Sequence, residues 1–434
     1  MMEPASMPDP ASAGLATSSP RRSVVTLLVA SALVVGALSW LWGWSLPLVL
    51  FLVIAMVMGH EFGHFITAKR SGMQVTDFFV GFGPVLWSTT RGETRYGIRA
   101  LLLGGYVKVP GMTWYDKIDP TIEKRTYRSA SYPRKVIFAS AGSLMHMVMA
   151  LLIAYGALVF VGHPDTQQVT INGFTQWQGH AQSAGQAAGL KIGDQILSID
   201  GHVVNGMGIL DATIHANANH PLTLTVRRAR QVLVLHATPV DGRTVKVNGQ
   251  PEVTGKQPVG LLGIHLANPT VRTGFLAALP DSVTTVTSTI NQAAHALVHV
   301  FSPGEFSTLF HQVTTPAAAK STASQTTRPV SIVGVVRLAD QAAQSNLQVF
   351  LYILITLNVF VGVMNMLPML PLDGGYVAIA TYERIRQRGR RSAPYQADVN
   401  KLTPVVFAFV GVLAVLFAFT LYLDIAYPIA NPFH

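Results

Sequence analysis

Long apolar stretches constrain the fold of this chain more than any other feature of its sequence. Half of the 434 residues are hydrophobic and only 12% are charged, and a helix of about 20 predominantly apolar residues is long enough to cross a bilayer. The sequence therefore predicts an α-helical integral membrane protein with about five transmembrane helices. The predicted spans are Val24 to Trp42, Leu46 to Ala68, Val136 to Val161, Leu347 to Leu370 and Pro404 to Leu423.

The basic residues outside these spans predict how the chain is oriented. The net charge is +10, and the Lys and Arg residues gather in the N-terminal tail, in residues 69–135 and in residues 384–401. Because cytoplasmic loops of membrane proteins are enriched in Lys and Arg, we expect these three segments in the cytoplasm. Topology therefore explains the positive charge better than a nucleic-acid partner, which we do not expect. The absence of cysteine excludes disulfides and thiolate metal ligands.

Two loops carry patterns of their own. Glycine-punctuated runs of alternating residues at about 76–110 predict membrane-associated β-hairpins on the cytoplasmic side. On the other side of the membrane, the string AGLKIGDQI at residues 188–196, with strand and helix patterns after it, resembles a PDZ domain at about residues 165–240. PDZ domains bind peptide ends by adding a strand to a sheet edge.

These segments predict a multi-pass protein whose N-terminal tail is cytoplasmic and whose PDZ domain is extracytoplasmic. The crowded Ala, Ser and Thr residues at 313–329 predict a flexible linker within the extracytoplasmic part. The predicted domains are a disordered tail (1–22), three spans with the β-hairpin loop (23–161), an α+β PDZ domain (165–240), a linker with helices (241–345) and the last two spans (346–434).

A metal-binding pattern, H-E-x-x-H, lies at the end of the second predicted span. On a helix, His60 and His64 share one face, so both imidazoles can reach one metal ion. Glu61 lies beside them, where it can take a proton from the attacking water. Ionisable residues at membrane depth are costly and usually functional. The alternatives are a chance match and a polar cluster that is satisfied inside a helical bundle.

Asp373 is the best candidate for a third protein ligand. It follows an apolar span whose cytoplasmic end is expected at the same membrane level as His60 and His64. Pro368 and Pro371 break the helix there, and Gly374-Gly375 allows the backbone to pass close to the site. The alternative interpretation of Asp373 is a turn or helix N-cap residue.

The sequence resembles the site-2 proteases, which are intramembrane zinc metalloproteases, and is most similar to their bacterial single-PDZ branch. The matching strings are HEFGH at 60–64, GFGPVLW at 81–87, GGYVK at 104–108, PVSIVG at 329–334 and NMLPMLPLDGG at 365–375. The resemblance implies that His60, His64 and Asp373 bind Zn²⁺ and that Glu61 is the general base. It also implies that the bound substrate strand lies at Asn365, Gly104 and Gly105.

The resemblance further implies a function and partners. The substrates would be single-span transmembrane proteins such as anti-sigma factors, cut in the inner (cytoplasmic) membrane after a first-site protease has trimmed their outer part. Membrane lipid would surround the enzyme. Two features depart from the family pattern: G-P-x-x-N in the third span is Gly142-Ser143-Leu144-Met145-His146 here, and the first span is additional. Of the histidines outside the metal motif, we consider only His146 as a residue that could line the site.

Two other functions are compatible with parts of the sequence. A metal or proton transporter would also carry intramembrane His and Asp, but it would need neither Glu61 at this spacing nor a PDZ domain, and inverted repeats are not evident. A non-catalytic PDZ membrane adaptor would tolerate the loss of Glu61, which is present.

Overall fold

The computed structural model describes residues 29–431, apart from residues 30, 31, 38, 42, 113–117, 248 and 388–394. The predicted disordered tail and part of the first predicted span, Val24 to Trp42, lie outside the described residues; a shorter apolar helix is described at Ala32–Leu41. The chain forms two compact units. We call residues 1–156 and 279–434 the membrane unit and Ala157–Ala278 the inserted unit.

Twelve further α-helices are described. Four helical stretches are long and apolar enough to cross a membrane: Ser45–Arg70, Tyr132–Val161, which includes the π-helix Ala157–Val161, Leu347–Asn365 and Thr403–Ala426. The last two follow the inserted unit in sequence, and the second ends within the first residues of that unit. The helices are α1 Ser45–Arg70, α2 Tyr132–Gly156, α3 Ala184–Ala187, α4 Met207–Ala216, α5 Ala278–Val300, α6 Pro303–Thr314, α7 Pro316–Ala319, α8 Thr322–Thr327, α9 Ile332–Ser345, α10 Leu347–Asn365, α11 Asp373–Gln387 and α12 Thr403–Ala426.

Helix α2 organises the membrane unit, because it contacts α1, α10 and α11. Its small residues Ala150 and Ala154 are buried against Ile355 and Val359 of α10 and against Val286 of α5. Small side chains let apolar helices approach closely and pack along their length. Helices α1 and α11, which carry His60, His64 and Asp373, and helix α10 between them in sequence therefore all pack against α2.

A buried ion pair ties the end of α12 to the chain just before α9. Arg328 Nη2 lies 3.1 Å from Asp424 Oδ1, and both side chains are almost fully buried. The other carboxylate oxygen of Asp424 accepts a hydrogen bond from the backbone N–H of Ser331 at 2.6 Å. Because removing one partner of a buried pair leaves an uncompensated charge, loss of either Arg328 or Asp424 should be strongly destabilising.

The segment predicted to be a flexible linker, residues 313–329, is largely helical. Ser302 before α6 and Ser321 before α8 each accept a hydrogen bond from the backbone N–H three residues on, at 3.2 and 3.1 Å. Proline is the first residue of α6 and of α7. These are the residues that favour helix starts, so local capping outweighs the low helix propensity of Ser and Thr.

Two long strands, β1 Asp77–Arg91 and β2 Thr94–Lys108, form a hairpin between α1 and α2. Residues 77–80 pair both with residues 95–98 and with residues 105–108. The segment 105–108 is therefore an outer strand, and none of the other described strands pairs with its second edge. The turn residue Glu93 binds Lys69 at the end of α1, which anchors the hairpin to that helix.

The inserted unit is built on an antiparallel sheet. Its strands are β3 His163–Pro164, β4 Val169–Phe174, β5 Gln195–Ile199, β6 His202–Val203, β7 Leu222–Arg228, β8 Gln231–Ala237, β9 Val240–Asp241, β10 Lys246–Val247, β11 Gln250–Pro251, β12 Gly260–Leu261, β13 Ile264–Ala267 and β14 Thr270–Val271. The main sheet has the order β13-β4-β5-β7-β8, with β6 beside β5. Leu210 and Ile214 of α4 complete its apolar core. The pairing of β3 with β14 brings the two ends of the unit together.

Candidate metal centre

Helix α1 presents the two histidines of the H-E-x-x-H pattern on one buried face. The Nε2 atoms of His60 and His64 lie 3.2 Å apart, and their rings meet edge to face with centroids 4.8 Å apart. Both residues are more than nine-tenths buried. The i, i+4 spacing therefore brings the two imidazoles to one point.

The backbone of α2 orients both rings. Nδ1 of His64 donates to the carbonyl oxygen of Phe138 at 2.8 Å. One turn further along α2, Gly142 lies against the Nδ1 edge of the His60 ring. A β-carbon at Gly142 would collide with both rings, so only glycine allows this approach. The Nε2 atoms of the two rings therefore meet at one space beside α2.

Asp373 reaches this space from the start of α11. Its Oδ2 atom lies 3.4 Å from Nε2 of His60 and 3.3 Å from Nε2 of His64. Asn365, the last residue of α10, donates from Nδ2 to the same carboxylate oxygen at 3.3 Å and lies 3.5 Å from Nε2 of His60. The loop between α10 and α11 thus turns the carboxylate back toward the two histidines.

The three side chains fit a zinc ion. His60, His64 and Asp373 each offer one ligand atom, and these atoms all lie within 4.8 Å of one another. Tetrahedral zinc with ligand bonds of about 2.0–2.1 Å separates its ligand atoms by about 3.3–3.4 Å. The three separations here are 3.2, 3.3 and 3.4 Å. Three protein ligands of this kind are typical of catalytic zinc, because they leave the fourth position open.

Glu61 lies between this cluster and the outer strand of the hairpin. Gly105 packs directly against Glu61 and Met58, so that a β-carbon at Gly105 would collide with Met58. The backbone N–H of Val107 lies close to the Glu61 carboxylate. The unpaired edge of residues 105–108 therefore faces the candidate general base. Gly104 precedes this strand and packs against Phe82.

The structure thus brings together His60, Glu61, His64, Asp373 and Asn365, and it places Gly104 and Gly105 on the strand beside Glu61. Sequence reasoning did not identify Asn358, which is 3% exposed and hydrogen-bonds to the buried His146. Its amide in the middle of the apolar sequence of α10 was the available signal, since polar side chains in spans are usually functional. The contribution of the Phe138 carbonyl could not have been found from sequence, because every residue has one.

The comparison with known proteins agrees with this geometry. The profile of peptidase family M50 matches residues 48–411 of the chain. The chain belongs to peptidase family M50, the site-2 protease family. As a member of this family it is a membrane metalloprotease that uses zinc. Its four long apolar helices fit an integral membrane protein.

Three relatives illustrate the similarity. The chain is 30% identical over 400 residues to the zinc metalloprotease Rip1 of Mycobacterium tuberculosis, covering 87% of this chain and 96% of Rip1. It is 26% identical over 331 residues to a putative zinc metalloprotease of Clostridium perfringens (76% and 85% covered). It is 27% identical over 372 residues to the probable membrane metalloprotease ARASP2, chloroplastic, of Arabidopsis thaliana (84% and 75% covered).

Proposed function

We propose that this M50 protease hydrolyses a peptide bond within the transmembrane segment of single-span proteins, such as anti-sigma factors, after a first-site protease has trimmed them. One observation carries the proposal. The zinc-fitting cluster and Glu61 lie near the end of a candidate span, against the unpaired edge of an outer strand. A peptide held at that edge would present its backbone to the cluster.

The chain's own residues have separate roles in the proposed reaction. Zinc held by His60, His64 and Asp373 would polarise the scissile carbonyl and activate the attacking water. Glu61 takes the proton of that water as its oxygen bonds to the carbonyl carbon. Glu61 then gives the proton to the amide nitrogen as the C–N bond breaks, so that it returns to its starting state.

The substrate segment must unwind before it can be cut, because a helix engages its own carbonyl groups. We propose that the outer strand 105–108 holds the unwound segment by edge pairing, and that Gly104 and Gly105 let it approach Glu61. Asn365, 3.3 Å from Asp373 and 3.5 Å from His60, would donate its amide N–H to a carbonyl of the bound strand.

We further propose a topology for the whole chain. The chain would span the inner membrane five times, counting the additional first span, with the N-terminal tail and the basic loops in the cytoplasm. The inserted unit would be an extracytoplasmic PDZ domain that restricts access for substrates whose outer domain is intact. Its AGLKIGD string, its sheet and its helix α4 support this assignment.

The variant Glu61→Gln tests the proposed reaction. Gln keeps the size of the side chain but cannot take a proton, so we expect retained zinc and a loss of cleavage of at least ~10²-fold. The measurement is zinc content together with cleavage of a trimmed single-span substrate by purified enzyme in detergent. Glu123→Gln in the cytoplasmic loop is the matched control and should cleave normally. Near-normal cleavage by Glu61→Gln would contradict the proposed mechanism. Zinc or proton flux through the wild-type protein, without cleavage, would favour a transporter.

A further inference from the structure

Two buried polar side chains outside the proposed ligand set connect α2 and α10. Nδ1 of His146 lies 3.2 Å from Oδ1 of Asn358, and the two residues are 1% and 3% exposed. The amide nitrogen of Asn358 donates to the carbonyl oxygen of Leu354 at 2.9 Å. The Asn358 oxygen is therefore the acceptor, and the Nδ1 atom of His146 carries the proton between them.

Close packing alone does not require this polar pair. One turn after Asn358, Gly362 already brings α10 against the backbone of Ser143 and the β-carbon of His146. Polar groups at membrane depth are costly to bury, and replacing both by apolar groups would remove that cost. A role beyond helix packing is therefore worth testing.

The pair lies next to the proposed metal ligands on both of its helices. The His146 ring packs against the His60 ring, with centroids 5.1 Å apart. Asn358 and Asn365 are seven residues apart on α10, so they share one face of the helix. Asn365 on that face reaches His60 and Asp373, while Asn358 on the same face holds His146.

We propose that His146 and Asn358 form a positioning pair for His60. Their hydrogen bond holds the His146 ring against the His60 ring. It also fixes the position of α10 along its axis, so that Asn365 lies beside His60 and Asp373. The inference rests on the proposed role of His60 as a zinc ligand. Residues that orient metal ligands typically contribute about 10- to 100-fold to metal affinity. Loss of this pair should therefore weaken zinc binding first.

The test is zinc affinity of the full-length protein in detergent, measured on zinc-stripped protein by competition with a chromophoric chelator. We expect His146→Leu and Asn358→Leu each to weaken zinc binding about 10- to 100-fold. The double variant should be no weaker than the worse single variant, because both substitutions break one contact. Thr356→Val is the matched control. It removes another buried polar group, a hydroxyl, from α10, and its zinc affinity should be unchanged.

Two further variants separate the ring from the hydrogen bond. His146→Asn places an amide N–H near the position of Nδ1 and should retain much of the affinity. His146→Phe keeps an aromatic ring beside His60 but cannot bond Asn358, and it should weaken zinc binding as Leu does. Thermal unfolding of the zinc-free protein is measured beside zinc affinity, because a purely structural role would change unfolding and leave zinc affinity alone.

Several outcomes would overturn the inference. Wild-type zinc affinity in both His146→Phe and Asn358→Leu would do so, and so would fully additive losses in the double variant. Failure of the underlying function is seen separately: if His60→Ala binds zinc as tightly as wild type, the ligand set itself is wrong, whatever the His146 variants show.

Discussion

At the scale of single residues, the two histidines are oriented by the main chain of α2. The Phe138 carbonyl fixes the ring of His64, and Gly142 lies where any larger residue would displace both rings. The ligand pattern itself could be predicted, because i, i+4 histidines and a carboxylate after a broken span have few other uses in a membrane. The contact of Gly142 in α2 with the two rings could not be predicted, because a glycine in a span also has simple packing roles.

Gly142→Ala should weaken zinc binding. The new methyl group would meet His60 and His64, so we expect zinc affinity to fall by about 10-fold or more, the range seen when ligand orientation is lost. The same overlap exists in the zinc-free protein, where overpacking typically costs about 1–3 kcal/mol against a gain of about 0.5–1 kcal/mol from replacing a helical glycine, so its unfolding temperature should fall as well. Chelator competition and thermal unfolding measure the two effects.

Gly156→Ala is the control for that substitution. It lies on the same helix, and nothing lies within 4 Å of the position that its new methyl group would take, so zinc affinity should stay at the wild-type value. Equal zinc affinity in Gly142→Ala and Gly156→Ala would show that the rings do not depend on this contact.

At the scale of elements, apolar length located the four described candidate spans, while local signals set their ends. The predicted span from Leu347 to Leu370 ends as a helix at Asn365, because Pro368 cannot continue it. The glycine-punctuated pattern indicated the hairpin of β1 and β2. It could not indicate that residues 77–80 pair on both sides, because pairing between distant strands leaves little trace in a local pattern.

The hairpin is anchored by one charged group, which gives a pH-dependent prediction. Glu93 binds Arg125 through Nη1 at 2.7 Å and Lys69 through Nζ at 2.7 Å. Hydrogen bonds from Arg125 and Lys69 lower the pKa of the Glu93 carboxyl from 4.5 to about 2. Because the folded pKa is the lower one, the stabilisation is complete above about pH 4.5 and is lost as the pH falls toward 2.

Glu93→Gln should therefore loosen the hairpin at pH 7. We expect faster amide hydrogen exchange over residues 77–108, and a lower unfolding temperature whose difference from wild type shrinks as the pH falls from 5 to 2. Both effects should weaken at high salt, because the pair is partly exposed. Glu123→Gln, which removes the separate pair with Arg128, should leave exchange in the hairpin unchanged. A difference from wild type that stays constant down to pH 2 would exclude the ion pair as its cause.

At the scale of the whole molecule, the inserted unit is one continuous segment of the chain, Ala157–Ala278. The AGLKIGD string predicted a small domain at 165–240, and the sheet of the inserted unit continues to Ala267. The additional strand, β13, pairs with β4, and Ile264 lies opposite Phe174. Contacts over such sequence distances depend on the folded topology. The AGLKIGD string could therefore not predict where the unit ends.

The ends of this unit suggest how to remove it cleanly. Pro164 pairs with Thr270, and the backbone N–H of Asp165 donates to the carbonyl oxygen of Pro269 at 2.9 Å. Replacing residues 165–269 with an Asn-Gly turn would join these paired residues as a two-residue hairpin. No residue of the membrane unit or of the metal cluster is removed.

If the inserted unit restricts access by substrate size, this deletion should change selectivity and leave chemistry intact. We expect normal zinc content and normal cleavage of a trimmed single-span substrate, with new cleavage of the same substrate when its folded outer domain is still attached. Wild type should cut only the trimmed form. The deletion combined with Glu61→Gln is the control, since its inactivity would assign the new cleavage to this site. A zinc-loaded deletion variant that cuts the trimmed substrate and still rejects the untrimmed one would refute the size-filter role, because the rejection would then arise in the membrane unit.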